Sequence, residues 1–191
     1  MVRKNKFYRR SRISEEVFEK ILNGFADDLT AKQTEQLTGV NIRSVNAIYI
    51  KLRQLIAHYC ELDWVSLDIK NKNDIKVTRT AIERKCEIEG RKILVLVLSE
   101  YRNHIYLEIA EDARKQRKPH AGNSRTGQFM TGPSKQEQRN EFWLYLESRL
   151  LKFRGIAAQT FYLHVKETEF RFNNQEHVLD KLKQMLEQSP L

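Results

Sequence analysis

The chain has 191 residues and 40% apolar content, enough for one core or for a small domain beside a medium one. Lys and Arg number 34 against 25 Asp and Glu, a surplus of +9 that bears on partners rather than on fold: nucleic acid first, an acidic membrane surface second. No apolar run reaches bilayer length, residues 1–12 lack the apolar stretch of a signal peptide, and Cys60 and Cys86 stand apart in no paired motif, so no membrane partner is expected, and a reducing, cytoplasmic setting is.

The chain opens on a basic arm. Arg3, Lys4, Lys6, Arg9, Arg10 and Arg12 occur with no acid among them. Residues 14–60 then read as helical. Ser14 is placed to cap a first helix, with Glu15 and Glu16 in the turn where the helix dipole favours acids. Val17, Phe18, Ile21, Leu22 and Phe25 share one face of it. Thr30 and Gln33 have the spacing of a capping box and start a second helix, which Gly39 ends. Asn41 caps a third, whose apolar stripe is Ile42, Val45, Ile48, Leu52, Leu55 and Ile56.

Two capped helices joined by Thr38-Gly39-Val40-Asn41 have the layout of a helix-turn-helix. In such a unit the later helix lays its polar face in the DNA major groove. The outward residues are Arg43, Ser44, Asn46 and Ala47, with Lys51 on the flank. Arg can bind guanine through two hydrogen bonds, Asn adenine likewise, and Ala can touch a thymine methyl. The arm is suited to follow the phosphate backbone or to enter the minor groove. Double-stranded DNA is therefore the expected partner, with the affinity in residues 1–60; a three-helix cap with a solvated polar face is the plainer alternative.

Residues 62–112 carry strand signals. Trp64–Ile69 alternates, Arg91–Ser99 is continuously apolar as in a strand buried on both faces, and His104–Ala110 alternates again. Glu100–Asn103 is short enough to link a hairpin. Residues 70–89 read as a loop with a short helix at 79–86. Residues 113–136 are basic and turn-rich. Helical pattern returns near Gln136, where Phe142, Trp143, Leu146, Leu150 and Phe153 share a face that Gly155 ends. Thr160 is placed to cap the next helix, Asn173-Asn174 ends it, and Val178, Leu179, Leu182, Met185 and Leu186 mark a last short one.

The run Lys152-Phe153-Arg154-Gly155-Ile156, followed by Thr160-Phe161-Tyr162-Leu163-His164-Val165-Lys166-Glu167-Thr168-Glu169-Phe170-Arg171-Phe172-Asn173-Asn174, resembles the C-terminal signature of small ISXO-like insertion-sequence transposases. The opening Lys4–Ser14, the Leu37–Asn41 turn and the pair of segments Lys92–Val95 and Ile105–Ile109 are similar to earlier parts of that family. The resemblance covers about two-thirds of the chain. It implies a DDE-type enzyme with an RNase H-like core, in which two aspartates and a glutamate hold two divalent ions, magnesium or manganese, for cleavage and strand transfer.

Residue by residue, the resemblance transfers incompletely. Asp68 matches the first aspartate, expected on the first strand, and would be a metal ligand. The residue after it is Ile69, where the family has a second acid. No strand-borne aspartate follows the hairpin. Asn140 stands at the expected glutamate position, with Glu141 one residue away and so rotated by about 100° on a helix. The five histidines show no metal spacing.

The expected architecture is α+β: a helix-turn-helix domain over residues 1–60, then a reduced RNase H-like domain over 61–191 with three strands and C-terminal helices, interrupted by the basic segment 113–136. The expected function is a DNA-binding protein that recognises insertion-sequence ends without a complete catalytic triad. The alternatives are an active transposase and a non-catalytic regulator that forms a homodimer, with Trp64–Ile69 as an unpaired strand edge available for pairing.

Overall fold

A computed structural model describes residues 5–9, 11–70, 76–86, 90–101, 103–110, 133–152 and 156–191. In order, these form helices α1 (Glu15–Ala26), α2 (Ala31–Thr38) and α3 (Ile42–Lys70), strands β1 (Lys76–Cys86), β2 (Gly90–Tyr101) and β3 (His104–Ala110), then helices α4 (Pro133–Lys152), α5 (Ala158–Asn174) and α6 (Val178–Gln188), with one turn of 3-10 helix at Gln175–His177. The chain is thus α+β. It divides into two compact units: residues 1–66 with 173–191, and residues 67–172.

The helix boundaries of the first unit follow the expected caps. The Ser14 side chain accepts from Val17 N at 3.3 Å, and Glu15 and Glu16 occupy the first turn of α1. Thr30 and Gln33 form both halves of the capping box. Gly39 takes φ 70, a left-handed conformation that costs glycine little. The Asn41 side chain accepts from Arg43 N at 2.9 Å. Behind these caps lies a core of Phe18, Ile21, Leu22, Phe25, Val45, Ile48, Tyr49, Leu52 and Ile56, each at most 2% exposed.

The last helix belongs to this unit as well. Val178, Leu182, Met185 and Leu186 of α6 are buried, and α6 packs on α1. The unit therefore extends beyond the expected 1–60 and takes in a segment that the sequence had grouped with residues 61–191.

The second unit carries a three-stranded antiparallel sheet in the order β1-β2-β3. Val77 pairs with Ser99 in β2, and Leu98 pairs with Leu107 in β3. Tyr101 and His104 are partners at the end of the β2–β3 pairing, and Asn103 beside His104 takes φ 69, tolerable for Asn. Leu98, Ile105 and Leu107 from the sheet pack with Phe142 and Leu146 of α4 and Phe161 and Val165 of α5.

Four expectations need correction. Trp64–Ile69 is not a strand but the end of α3. No Gly or Pro interrupts Ile42–Lys70, so a helix once nucleated propagates through the β-branched and aromatic residues. The proposed strand edge there, and the homodimer built on it, fall with that strand. Residues 79–86 form a strand, not a helix, because β1 pairs with β2 along its whole length and tertiary pairing overrides the helical character of Ala81, Glu83 and Lys85. Helix α4 begins at Pro133, three residues before Gln136; proline at a first helical position gives up an N–H that has no partner there anyway. Thr160 does not cap α5, which starts at Ala158; its hydroxyl donates to Ala157 O at 3.2 Å. The Gly155 stop and most of the basic segment, 113–132, lie outside the described residues.

Candidate nucleic-acid interface

The turn between α2 and α3 is fixed by side chains at each step. Thr38 Oγ1 donates to Thr34 O at 2.7 Å and accepts from Val40 N at 3.3 Å. Glu35 Oε1 accepts from Ile42 N at 2.8 Å, so an acid meets the first free amide of α3, where the helix dipole favours negative charge. Thr34 Oγ1 and the Tyr49 hydroxyl lie 2.7 Å apart, both buried, and tie the middle of α2 to the second turn of α3. The Phe25 ring meets Tyr49 edge-on at 4.9 Å, with the Arg53 guanidinium 5.6 Å from Phe25 and 5.7 Å from Tyr49. The buried side of α3 is therefore held by α1 and α2.

Its other side is open. Arg43, Ser44, Asn46, Ala47 and Lys51 are all exposed, while Val45, Ile48 and Leu52 between them are buried. The expected contact residues thus share the free face of the helix. Further along, Tyr59 has its phenol pKa raised, first by burial and then by the Asp63 carboxylate and Cys60, so it is a neutral group at physiological pH.

The basic segment lies against this same unit. Arg3, Lys4 and Arg10 lie outside the described residues; Lys6, Arg9 and Arg12 are exposed. Residues 5–9 are folded rather than trailing. Asn5 Oδ1 accepts from Phe7 N at 3.0 Å and Tyr8 N at 2.9 Å, and Asn5 Nδ2 donates to Ile13 O at 3.2 Å. Phe7 is 2% exposed and stacks with Phe18 at 6.2 Å. Tyr8 meets Phe18 at 5.8 Å and lies under the Lys51 ammonium, 4.7 Å from its ring centre. The contact joins the arm to the exposed face of α3. Sequence reasoning missed Tyr8, for which an aromatic inside a basic run was the available signal.

The second unit holds buried charge of a different kind. Glu167 Oε1 lies 2.9 Å from an Arg149 guanidinium nitrogen and accepts from Arg171 Nε at 2.8 Å. Glu169 Oε2 accepts from Lys166 Nζ at 2.8 Å and from Leu107 N of β3 at 2.9 Å. These acids are paired with cations and a backbone amide, an arrangement that ties α5 to α4 and β3.

The first of the expected metal ligands is not where the resemblance puts it. Asp68 lies in the last turns of α3, not on a strand. The first strand of the sheet, β1, contains no aspartate, and its sole acid is Glu83. Asn140 lies in α4, and Glu141 beside it is exposed. Among the described residues, no group of three or more His, Cys, Asp or Glu is placed to hold a metal ion.

Charge alone does not select an interface. Residues 67–172 hold 21 of the 34 Lys and Arg and 14 of the 25 acids, so the larger surplus lies in the second unit. What distinguishes the first unit is arrangement: its cations are concentrated in residues 3–12, whose described part adjoins a helix with a free polar face. No helix among the described residues is long and apolar enough to cross a membrane. The chain matches no protein-family description, no curated protein and no solved structure.

Proposed function

We propose that the protein binds duplex DNA, with α2 and α3 as a helix-turn-helix and α3 as the helix that enters the major groove. The observation that carries this reading is the exposed row Arg43, Ser44, Asn46, Ala47 and Lys51 on a helix whose opposite side is fixed by Thr34, Glu35 and Phe25. A rigid helix with a free polar face loses little conformational freedom on docking. At about 1.5 Å of rise per residue, Lys51 lies about 12 Å along the axis from Arg43, similar to the roughly 12 Å width of the major groove. Asn46 and Ala47 would then face base edges, with a cation toward each rim.

The partner proposed is the end of an insertion sequence, and the ancestry that of an ISXO-like transposase. What supports this is the run Lys152–Asn174 together with the opening residues and the α2–α3 turn. Strand transfer is not part of the proposal. What weighs against it is the helical placement of Asp68, the lack of an aspartate in β1 and the Asn at position 140, with no three-acid metal cluster among the described residues. The protein would occupy element ends without cutting them.

The test is binding of the full chain to duplexes that carry or lack the inverted repeats flanking its gene, across a salt series. Expected is strong salt dependence with preference for the repeats, the preference relaxing in Arg43→Ala and Asn46→Ala. Equal affinity of wild type and both variants for every duplex would sink the assignment of α3 as the reading helix.

A further inference from the structure

We infer that the DNA-binding unit is built from both ends of the chain: the tail at Leu191 holds residues 5–9 as a fixed basic ridge beside α3, and this ridge grips the phosphate backbone while α3 reads the groove. The inference rests on the DNA-binding reading above and adds to it a segment that has no cluster of basic residues of its own.

Leu191 N donates to Phe7 O at 2.8 Å, and Arg9 N donates to Leu191 O at 3.0 Å. One residue of the tail thus brackets Tyr8 between two backbone bonds. Tyr8 is also the residue whose ring lies under Lys51. The tail is itself anchored, since it leaves α6, which buries four apolar side chains in the same unit. A continuous line of contacts therefore runs from the α6 core through Leu191 and Tyr8 to the exposed face of α3.

The ridge has the chemistry of a phosphate contact. Lys6 and Arg9, both exposed, flank the bracketed Tyr8, and Lys51 stands over its ring. Residues 3–12 carry six cations and no acid. An unstructured basic arm must be ordered when it binds, at an entropic cost. A ridge already pinned by Asn5, Phe7 and Leu191 avoids that cost and keeps its cations at a set distance from the reading helix. Phosphate contacts of this sort fix register without reading sequence.

Binding of the full chain to mixed-sequence duplex DNA, measured across a salt series, tests this. Three forms are compared with wild type: a chain shortened by residues 189–191, a Lys6→Gln/Arg9→Gln double variant, and the combination. Each of the first two should lower the slope of log affinity against log salt by about two, one unit per lost phosphate contact. The combination should lower it no further, because both changes remove the same contacts. A purely structural tail would weaken binding without that shared slope. Should the shortened chain lose its cooperative thermal transition, Tyr8→Leu takes its place, since it keeps the backbone bonds and removes the ring under Lys51. Its slope should fall by about one and return in Tyr8→Phe. A wild-type slope in the folded shortened chain, or in Tyr8→Leu, overturns the inference. Absence of salt-dependent binding by the wild-type chain is a different result, and defeats the DNA-binding reading itself.

Discussion

Thr34 and Tyr49 share a buried hydrogen bond of 2.7 Å between their hydroxyls, and it sets the position of α3 against α2. Gly24 of α1 lies directly behind it: a Cβ there would meet Thr34 Oγ1 at 2.8 Å. Tyr49→Phe should cost about 1 kcal/mol, the usual net worth of such a bond. Gly24→Ala should cost about 1–3 kcal/mol by overpacking. In a Thr34→Ala background the clash is gone, and Gly24→Ala should stabilise by up to about 1 kcal/mol through helix propensity. Denaturant midpoints of the four proteins in this cycle provide the check; a Gly24→Ala penalty that persists beside Thr34→Ala would show that the crowding comes from elsewhere.

Base reading and backbone gripping should separate by mutation. Arg43→Ala or Asn46→Ala should reduce discrimination between a preferred site and its single-base variants by about 1–3 kcal/mol at one position each. Arg12→Gln, exposed at the end of the basic segment, should weaken all sequences alike. Competition binding with a panel of singly substituted sites distinguishes the two patterns.

Glu169 is 1% exposed and serves both Lys166 and the Leu107 amide. Glu169→Ala leaves a buried ammonium without this partner and should destabilise by about 3–5 kcal/mol. The double variant Glu169→Gln/Lys166→Met should recover most of that loss, because an amide oxygen still accepts from Leu107 and no charge remains in the pair. Thermal melts decide; equal destabilisation of the single and double variants would mean that the ion pair is not the source of the cost.

Incubation of end-containing DNA with the protein and magnesium or manganese should give no nicks or joined products. Asp68→Ala should behave as wild type, since Asp68 lies in α3 and no aspartate occupies β1. Metal-dependent cleavage that vanishes in Asp68→Ala would restore the enzyme reading.

Leu182 of α6 is fully buried in the first unit. Leu182→Ala should cost about 2–5 kcal/mol. The loss should appear as faster amide exchange along α1, which α6 packs against. Unchanged exchange in α1 would mean that α6 contributes nothing to the helical unit.

The sequence by itself determined the local punctuation. Ser14, Thr30 with Gln33, Gly39 and Asn41 each act within a few residues of themselves, so their hydrogen bonds and backbone angles follow from spacing alone. The same holds for the free face of α3, because helical periodicity separates Arg43, Ser44, Asn46 and Ala47 from Val45 and Ile48. Residues 64–69 and 79–86 are different. Each has a composition suited to either helix or strand, and the choice was made by partners: continuity with α3 for the first, pairing with β2 for the second. With the first choice went the expected place of Asp68, which the sequence put on a strand and the structure puts in α3. The bond from Leu107 to Glu169 spans 62 residues and that from Arg9 to Leu191 spans nearly the whole chain. Contacts at such separation leave no periodic trace in a sequence. Only the packing of α6 on α1 carries Leu191 back to residues 7–9, so only the tertiary structure could bring it to the segment whose Tyr8 lies under Lys51 of α3.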